Sequence, residues 1–234
     1  MTIADQILYE DNHLIAVNKL PGQIVQGDKT GDECLADTLK NYIKVRDNKP
    51  GNVFCGVVHR LDRPVSGVCI FAKTSKALSR MNELVKSRDF HKTYWAACND
   101  APPQTEGRLE DWLMRNEKQN KSFVTRPQGE TKGGTDARGA KLAKLDYKEI
   151  GLSRGGYHIL EVELHTGRHH QIRCQLAHMG CPIKGDLKYG AERSNPDGSI
   201  SLHSRRLVFE HPVRHDRIEI VAPAPPLFDG MGTE

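Results

Sequence analysis

Short apolar runs separated by polar turns dominate the chain, and their spacing alternates between a period of two and a period near 3.6. ILYEDNHLIAVNKLPG holds two such runs around Asp11-Asn12, which predicts a strand hairpin ending at the Pro21-Gly22 turn. From Cys34 to Val45, Leu35, Leu39 and Ile43 recur at helical spacing and predict a short amphipathic helix. GVCIFAK, Gly67 to Lys73, reads as a buried strand. Thr74 or Ser75 can cap the helix that follows, which runs through Lys86 with Ala77, Met81, Leu84 and Val85 inward. TYWAAC is the next strand. Strand patterns return at KLDYKEI and GYHILEVEL, a helix is predicted from Arg168 to Met179 with Gly180 as its stop, and RRLVF and DRIEIV form two last strands.

Strands outnumber helices and do not alternate with them as βαβ units would. The expected fold class is therefore α+β, a single domain with a central mixed, mainly antiparallel sheet flanked by helices and loops. Between Asn99 and Gly139 the composition turns polar, with Arg115, Lys118, Lys121, Arg126 and Lys132 spread along it, so this stretch reads as a loop-rich basic insertion. Residues 222–234, with PAPPLF, read as a C-terminal tail. No internal repeat or low-complexity tract interrupts the pattern.

With 234 residues the chain can bury a sizeable core as one domain. Its 37% hydrophobic and 27% charged residues are those of an ordinary globular protein. No apolar run is long enough to span a bilayer, and the N-terminus lacks the pattern of a signal peptide, which points to the cytoplasm. The six cysteines lack C-x-x-C spacing and several sit inside apolar segments, so reduced, packed thiols are expected. A net charge of +4 is compatible with a polyanionic partner without requiring one.

The chain contains neither G-x-G-x-x-G after a strand nor G-x-x-x-x-G-K-[ST], and no G-x-S-x-G elbow, so Ser66 reads as a turn residue rather than a nucleophile. His170, Cys174 and His178 would share one face of the helix predicted there, which invites a zinc reading. Three successive helical turns span about 12 Å at ~1.5 Å per residue, too far for one tetrahedral ion with bonds of about 2.0 to 2.3 Å. No metal site is assigned.

VVHRLDRPVSG sets Asp62 between Arg60 and Arg63. Two guanidiniums within reach favour the ionised carboxylate, which suits nucleophilic attack or charge stabilisation better than proton abstraction. A structural Arg-Asp-Arg cluster explains these residues equally well, so the motif by itself leaves both readings open.

Four further blocks occur in one order around it: VNKLPG (Val17 to Gly22), HKTYWA (His91 to Ala96), HTGRHHQIR (His165 to Arg173) and LHSRRLVFEHP (Leu202 to Pro212), with CPIKGDLKYG before the last. Together with HRLDRPVSG they resemble the RluA-type family of RNA pseudouridine synthases over nearly the whole chain. The resemblance implies a pseudouridine synthase catalytic domain that isomerises a uridine in ribosomal or transfer RNA, with no cofactor. It implies that Asp62 is the catalytic aspartate, that Tyr94 lies against the target base and that Arg173 pairs with the aspartate. It further implies that Arg60 fills the gap left by the flipped nucleotide, and that His59 and Arg63 shape the motif or contact phosphate; Lys92 and Arg168 are expected among the RNA contacts. Lys76, Arg80, Lys86, Arg88 and His91 extend the basic cluster around Lys92.

Five positions depart from the family pattern: Val65 for Thr, His169 for Thr or Ser, Leu20 for Pro, and Cys174-Gln175 for Val-His. None removes a chemical group from the implied site. The first strand lies close to the start of the chain, so no N-terminal S4 domain is expected, and a monomer is the default. The alternative function is a non-catalytic RNA-binding relative of the same fold.

Overall fold

The computed structural model describes residues 2–27, 31–129 and 131–229. It divides into two compact units, Met1–Lys92 with His203–Pro223 and Thr93–Leu202 with Ala224–Glu234. Both contain sheet and helix, so the α+β expectation holds. Among the described residues no helix is long and apolar enough to cross a membrane. All six cysteines are buried free thiols.

The first unit is built on β1 (Ile7–Glu10), β2 (Leu14–Lys19), β3 (Gly56–Val57), β4 (Ser66–Ala72), β10 (Leu202–Glu210) and β11 (Arg217–Val221), with β10 leaving the second unit at its first residue. The order is β1-β2-β4-β10, with β11 on β10 and β3 on β4. The predicted hairpin is present: Asp11 closes it by accepting from the amides of His13 and Leu14. Every residue of β4 is buried, as a continuous apolar run requires of a central strand.

β10 runs parallel to β4, pairing His203 with Ser66 and Ser204 with Gly67. Gly67 makes this approach possible. It sits at φ +111°, and a Cβ there would lie 2.2 Å from the Ser204 carbonyl oxygen. Ser66, expected in a turn, instead opens β4, buried and bonded to His203 Nδ1 at 2.8 Å.

Helix α1 (Leu35–Arg46) buries Leu35, Leu39 and Ile43, as their spacing predicts. Helix α2 (Ser75–Ser87) is capped by Thr74, whose hydroxyl accepts from the Ala77 amide, and turns Ala77 and Met81 into a core shared with Ile70, Phe90 and Leu207. Lys76, Lys86 and Arg88 stay exposed, while Arg80 reaches the Pro212 carbonyl.

The second unit carries most of β5 (Phe90–Cys98), then β6 (Glu106–Asn116), β7 (Lys121–Thr125), β8 (Lys141–Leu152) and β9 (His158–Leu164), in the antiparallel order β5-β9-β8-β6-β7. Two expectations need correction here. Residues 99–139 are not simply loop: β6 and β7 form a hairpin whose Leu113 and Val124 face Cys174 and Ala177. Its polar composition reflects the exposed face of an edge strand pair. The expected tail is also tied down, because Phe228, in a single turn at Pro226–Phe228, is buried against Trp95 and Ala97.

Helix α3 is shorter than expected, Gln171–His178 instead of Arg168 to Met179. His170 has φ 52°, a left-handed conformation that cannot continue a helix, so residues 168–170 form a turn. Gln171 stabilises that turn, its side-chain oxygen accepting from the Arg168 amide and from the Thr166 hydroxyl. His170 therefore stands before the helix, and the one-face arrangement with Cys174 and His178 does not arise.

Candidate active site

Asp62 stands on the loop between β3 and β4, in a turn closed by the Val65 amide donating to the Asp62 carbonyl at 3.0 Å. The turn is gripped from behind by the VNKLPG segment. Lys19, at the end of β2, has no exposed surface, and its ammonium donates to the carbonyls of Leu20 (3.1 Å), Arg63 (3.0 Å) and Val65 (2.6 Å). The Gly22 amide adds a second bond to the Arg63 carbonyl at 2.8 Å. Burial pushes the Lys19 pKa down to about 8, opposed by the negative charge of Asp62 nearby. The two blocks thus meet as donor and acceptor, and backbone carbonyls on both sides of Pro64 are pinned to one cation.

The other residues of this motif differ in exposure. Arg60 and Arg63 are exposed, and Arg63 pairs with Asp32 at 2.9 Å, each partner about half exposed. Such a pair contributes little to stability. His59 is half-buried, its ring 5.6 Å from that of Phe90, and its Nε2 accepts from the Ile70 amide at 3.4 Å. Burial, helped by the charge of Lys92, pushes its pKa down to about 3, so it is a neutral acceptor at neutral pH. Lys92, on β5, lies within 6.0 Å of the Phe90 ring centre, and burial pushes its pKa down as well. Ser66 and His203 continue the motif inward, and His203 is held neutral by burial, its pKa pushed down to about 4.

In the second unit Tyr94 is buried on β5, opposite Val162 of β9. Arg168 donates through Nε to the Leu142 carbonyl of β8 at 2.9 Å. Arg173, on the first turns of α3, is buried and forms a two-pronged bridge with buried Asp186: Nε to Oδ2 at 2.6 Å and Nη2 to Oδ1 at 2.8 Å. Its guanidinium also lies 5.1 Å from the centre of the Tyr189 ring. A fork of this kind fixes both position and plane of the cation.

The units separate the expected site residues into two groups. His59, Arg60, Asp62, Arg63 and Lys92 belong to the first, and Tyr94, Arg168 and Arg173 to the second. Three residues that the sequence reading did not single out take part in holding them: Lys19, Asp186 and Tyr189. All three lie inside blocks already conspicuous in the sequence, VNKLPG and CPIKGDLKYG, so the signal was position within a motif rather than residue type. Among the described residues, no group of three or more His, Cys, Asp or Glu is arranged to hold a metal ion.

Residues 13–178 match the family described as RNA pseudouridylate synthase. The chain is 34% identical over 94% of its length to ribosomal large subunit pseudouridine synthase D of Xylella fastidiosa, of which it spans 66%. It is 30% identical to tRNA pseudouridine synthase C of Haemophilus influenzae, covering 93% of this chain and 92% of that one. Among solved structures, human RNA pseudouridylate synthase domain containing 4 superposes with a TM-score of 0.77 at 25% identity, covering 97% of this chain and 91% of the other. With a family match over most of its length and both compact units carrying the motif blocks in order, this chain belongs to the RNA pseudouridylate synthases of the RluA type.

Proposed function

We propose that this protein converts a specific uridine of ribosomal or transfer RNA to pseudouridine, with Asp62 as the essential carboxylate. The observation that carries the reading is the Asp62 turn, whose flanking carbonyls are bound by the buried Lys19 ammonium and the Gly22 amide. A side chain that only formed a surface ion cluster would not call for a buried cation behind its backbone. Catalysis does, because a carboxylate misplaced by about 1 Å can lose on the order of 100-fold in rate.

The reaction breaks the bond from N1 of uracil to C1′ of the ribose, turns the base, and joins C5 to C1′. N1 gains a proton and C5 loses one, so no redox equivalent and no donated group are required, and no cofactor is assigned. The target nucleotide must first leave its stack, at a cost of a few kcal/mol. Tyr94 provides the aromatic surface against which the freed base turns. Arg173 serves as the partner of the Asp62 carboxylate, and Arg60 fills the space the nucleotide vacates. His59, Arg63, Lys92 and Arg168, with Lys76, Lys86 and Arg88 around α2, supply RNA contacts. The protein works in the cytoplasm as a monomer.

The relatives support both RNA classes, being named for ribosomal RNA in one case and transfer RNA in another. The test uses bulk RNA lacking natural modifications and carrying tritium at uracil C5. Wild-type protein is expected to release tritium, and Asp62→Asn to release none while keeping the wild-type melting temperature. Binding of the RNA by both proteins, with release by neither, would favour the non-catalytic RNA-binding reading. Full release by the variant would refute the role of Asp62.

A further inference from the structure

Arg173 and its surroundings contain more structure than one catalytic pairing needs. The guanidinium is almost wholly buried, and both Nε and Nη2 are bound by Asp186, which is itself 1% exposed. Asp186 in turn is held by its backbone. It follows Gly185 at φ +87°, where a Cβ would lie 2.8 Å from the Asn195 side chain and from the Ser199 carbonyl, and its own carbonyl accepts from the amides of Tyr189 and Ala191. Only glycine fits that step, so the chain has little freedom to move the carboxylate.

Tyr189 closes the arrangement from a second side. Its ring lies under the Arg173 guanidinium at 5.1 Å. Its hydroxyl accepts from the Ser122 amide at 2.8 Å and stands 3.0 Å from His170 Nδ1. The hydroxyl is thus held at two points, by the Ser122 amide and by the His170 imidazole. Ser122 lies on β7 and its hydroxyl contacts His169, one of the residues that depart from the family pattern. The ring is therefore anchored to the β6–β7 hairpin and to the turn before α3.

We infer that Asp186 and Tyr189 are positioning residues for the reaction, a two-sided clamp that fixes the orientation of the Arg173 guanidinium. Asp186 neutralises the buried charge and fixes the plane of the fork, leaving the Nη1 edge as the part that Asp186 does not hold. Tyr189 prevents the plane from tilting, through a cation–π contact that strengthens as water is excluded. This rests on the reading of Arg173 given above. Neither residue need touch RNA.

The test is a kinetic cycle by tritium release, with the melting temperature of each variant recorded. Arg173→Lys cannot form a fork and is expected to lose at least about 100-fold in kcat. Asp186→Asn puts an amide N–H against the guanidinium and is expected to lose about 30-fold in kcat while KM stays within about threefold. In the double variant the second change should cost no more than about threefold beyond Arg173→Lys, because Asp186 acts through Arg173. Tyr189→Leu should lose about 10-fold in kcat, and Tyr189→Phe, which keeps the ring, less than about threefold.

Losses that multiply in the double variant would overturn the inference, as would a wild-type kcat for Asp186→Asn beside an impaired Arg173→Lys. A wild-type kcat for Arg173→Lys would instead overturn the role assigned to Arg173 itself. Should Asp186→Asn fail to fold, the Tyr189 pair decides: equal losses in Leu and Phe variants would refute the clamp.

Discussion

Replacing Lys19 with methionine removes an ammonium while keeping the length of the side chain. The ammonium makes three bonds to carbonyl oxygens, and charge-assisted bonds contribute roughly 1.5 to 3 kcal/mol each. Desolvating a buried ammonium offsets this by several kcal/mol. The Arg63 carbonyl keeps the Gly22 amide and the Leu20 carbonyl keeps a longer bond from the Gln23 amide, so the group left stranded is the Val65 carbonyl, which had the shortest bond. The net loss expected for Lys19→Met is about 2 to 3 kcal/mol, read by urea unfolding at pH 7.

The larger effect is on catalysis. With the turn released, kcat for tritium release should fall on the order of 100-fold at saturating RNA. A pH series adds a sign. The Lys19 pKa is about 8 in the folded chain against 10.5 as its ordinary value, so between these values the unfolded chain binds the extra proton. Stability must then rise with pH across that window, by up to roughly 3 kcal/mol, in wild type but not in Lys19→Met. Stability within about 0.5 kcal/mol of wild type together with kcat within about twofold would refute the claim that Lys19 positions Asp62.

Gly67→Ala forces a Cβ into the Ser204 backbone at a positive φ, and should cost at least about 3 kcal/mol, seen as loss of soluble protein or a large fall in melting temperature. His203 is buried with its pKa lowered to about 4, so the unfolded chain alone takes up its proton below about 6.5; stability should fall from pH 6.5 toward 4 by up to roughly 3 kcal/mol, and His203→Gln should flatten that slope. Phe228→Ala should cost about 2 to 3 kcal/mol and red-shift Trp95 fluorescence, because the buried ring covers one side of the indole; an unshifted spectrum would mean that the C-terminal segment does not pack there in solution.

The elements that the sequence determined by itself are those whose signal is local. Leu35, Leu39 and Ile43 mark α1, Thr74 marks the start of α2, and the continuous apolar run of GVCIFA marks a strand buried on both faces. The order of the motif blocks likewise belongs to the sequence, and with it the family and the candidate residues Asp62, Tyr94 and Arg173. What failed was local signal overridden by packing. The polar stretch before Gly139 became the β6–β7 hairpin because one face of it rests on α3, and Phe228 left the expected tail because Trp95 and Ala97 offered it a place to be buried.

Only the tertiary structure could decide who holds the candidate residues. Lys19 is 44 positions from Arg63 and 46 from Val65, yet donates to both. Asp186 is 13 positions from Arg173, and Tyr189 meets Ser122 across 67. A lysine, an aspartate and a tyrosine in a sequence have no marked partner, since hydrogen bonding and ion pairing are set by distance in space and by the exclusion of water. Those conditions exist only once the strands have paired and the turns have closed.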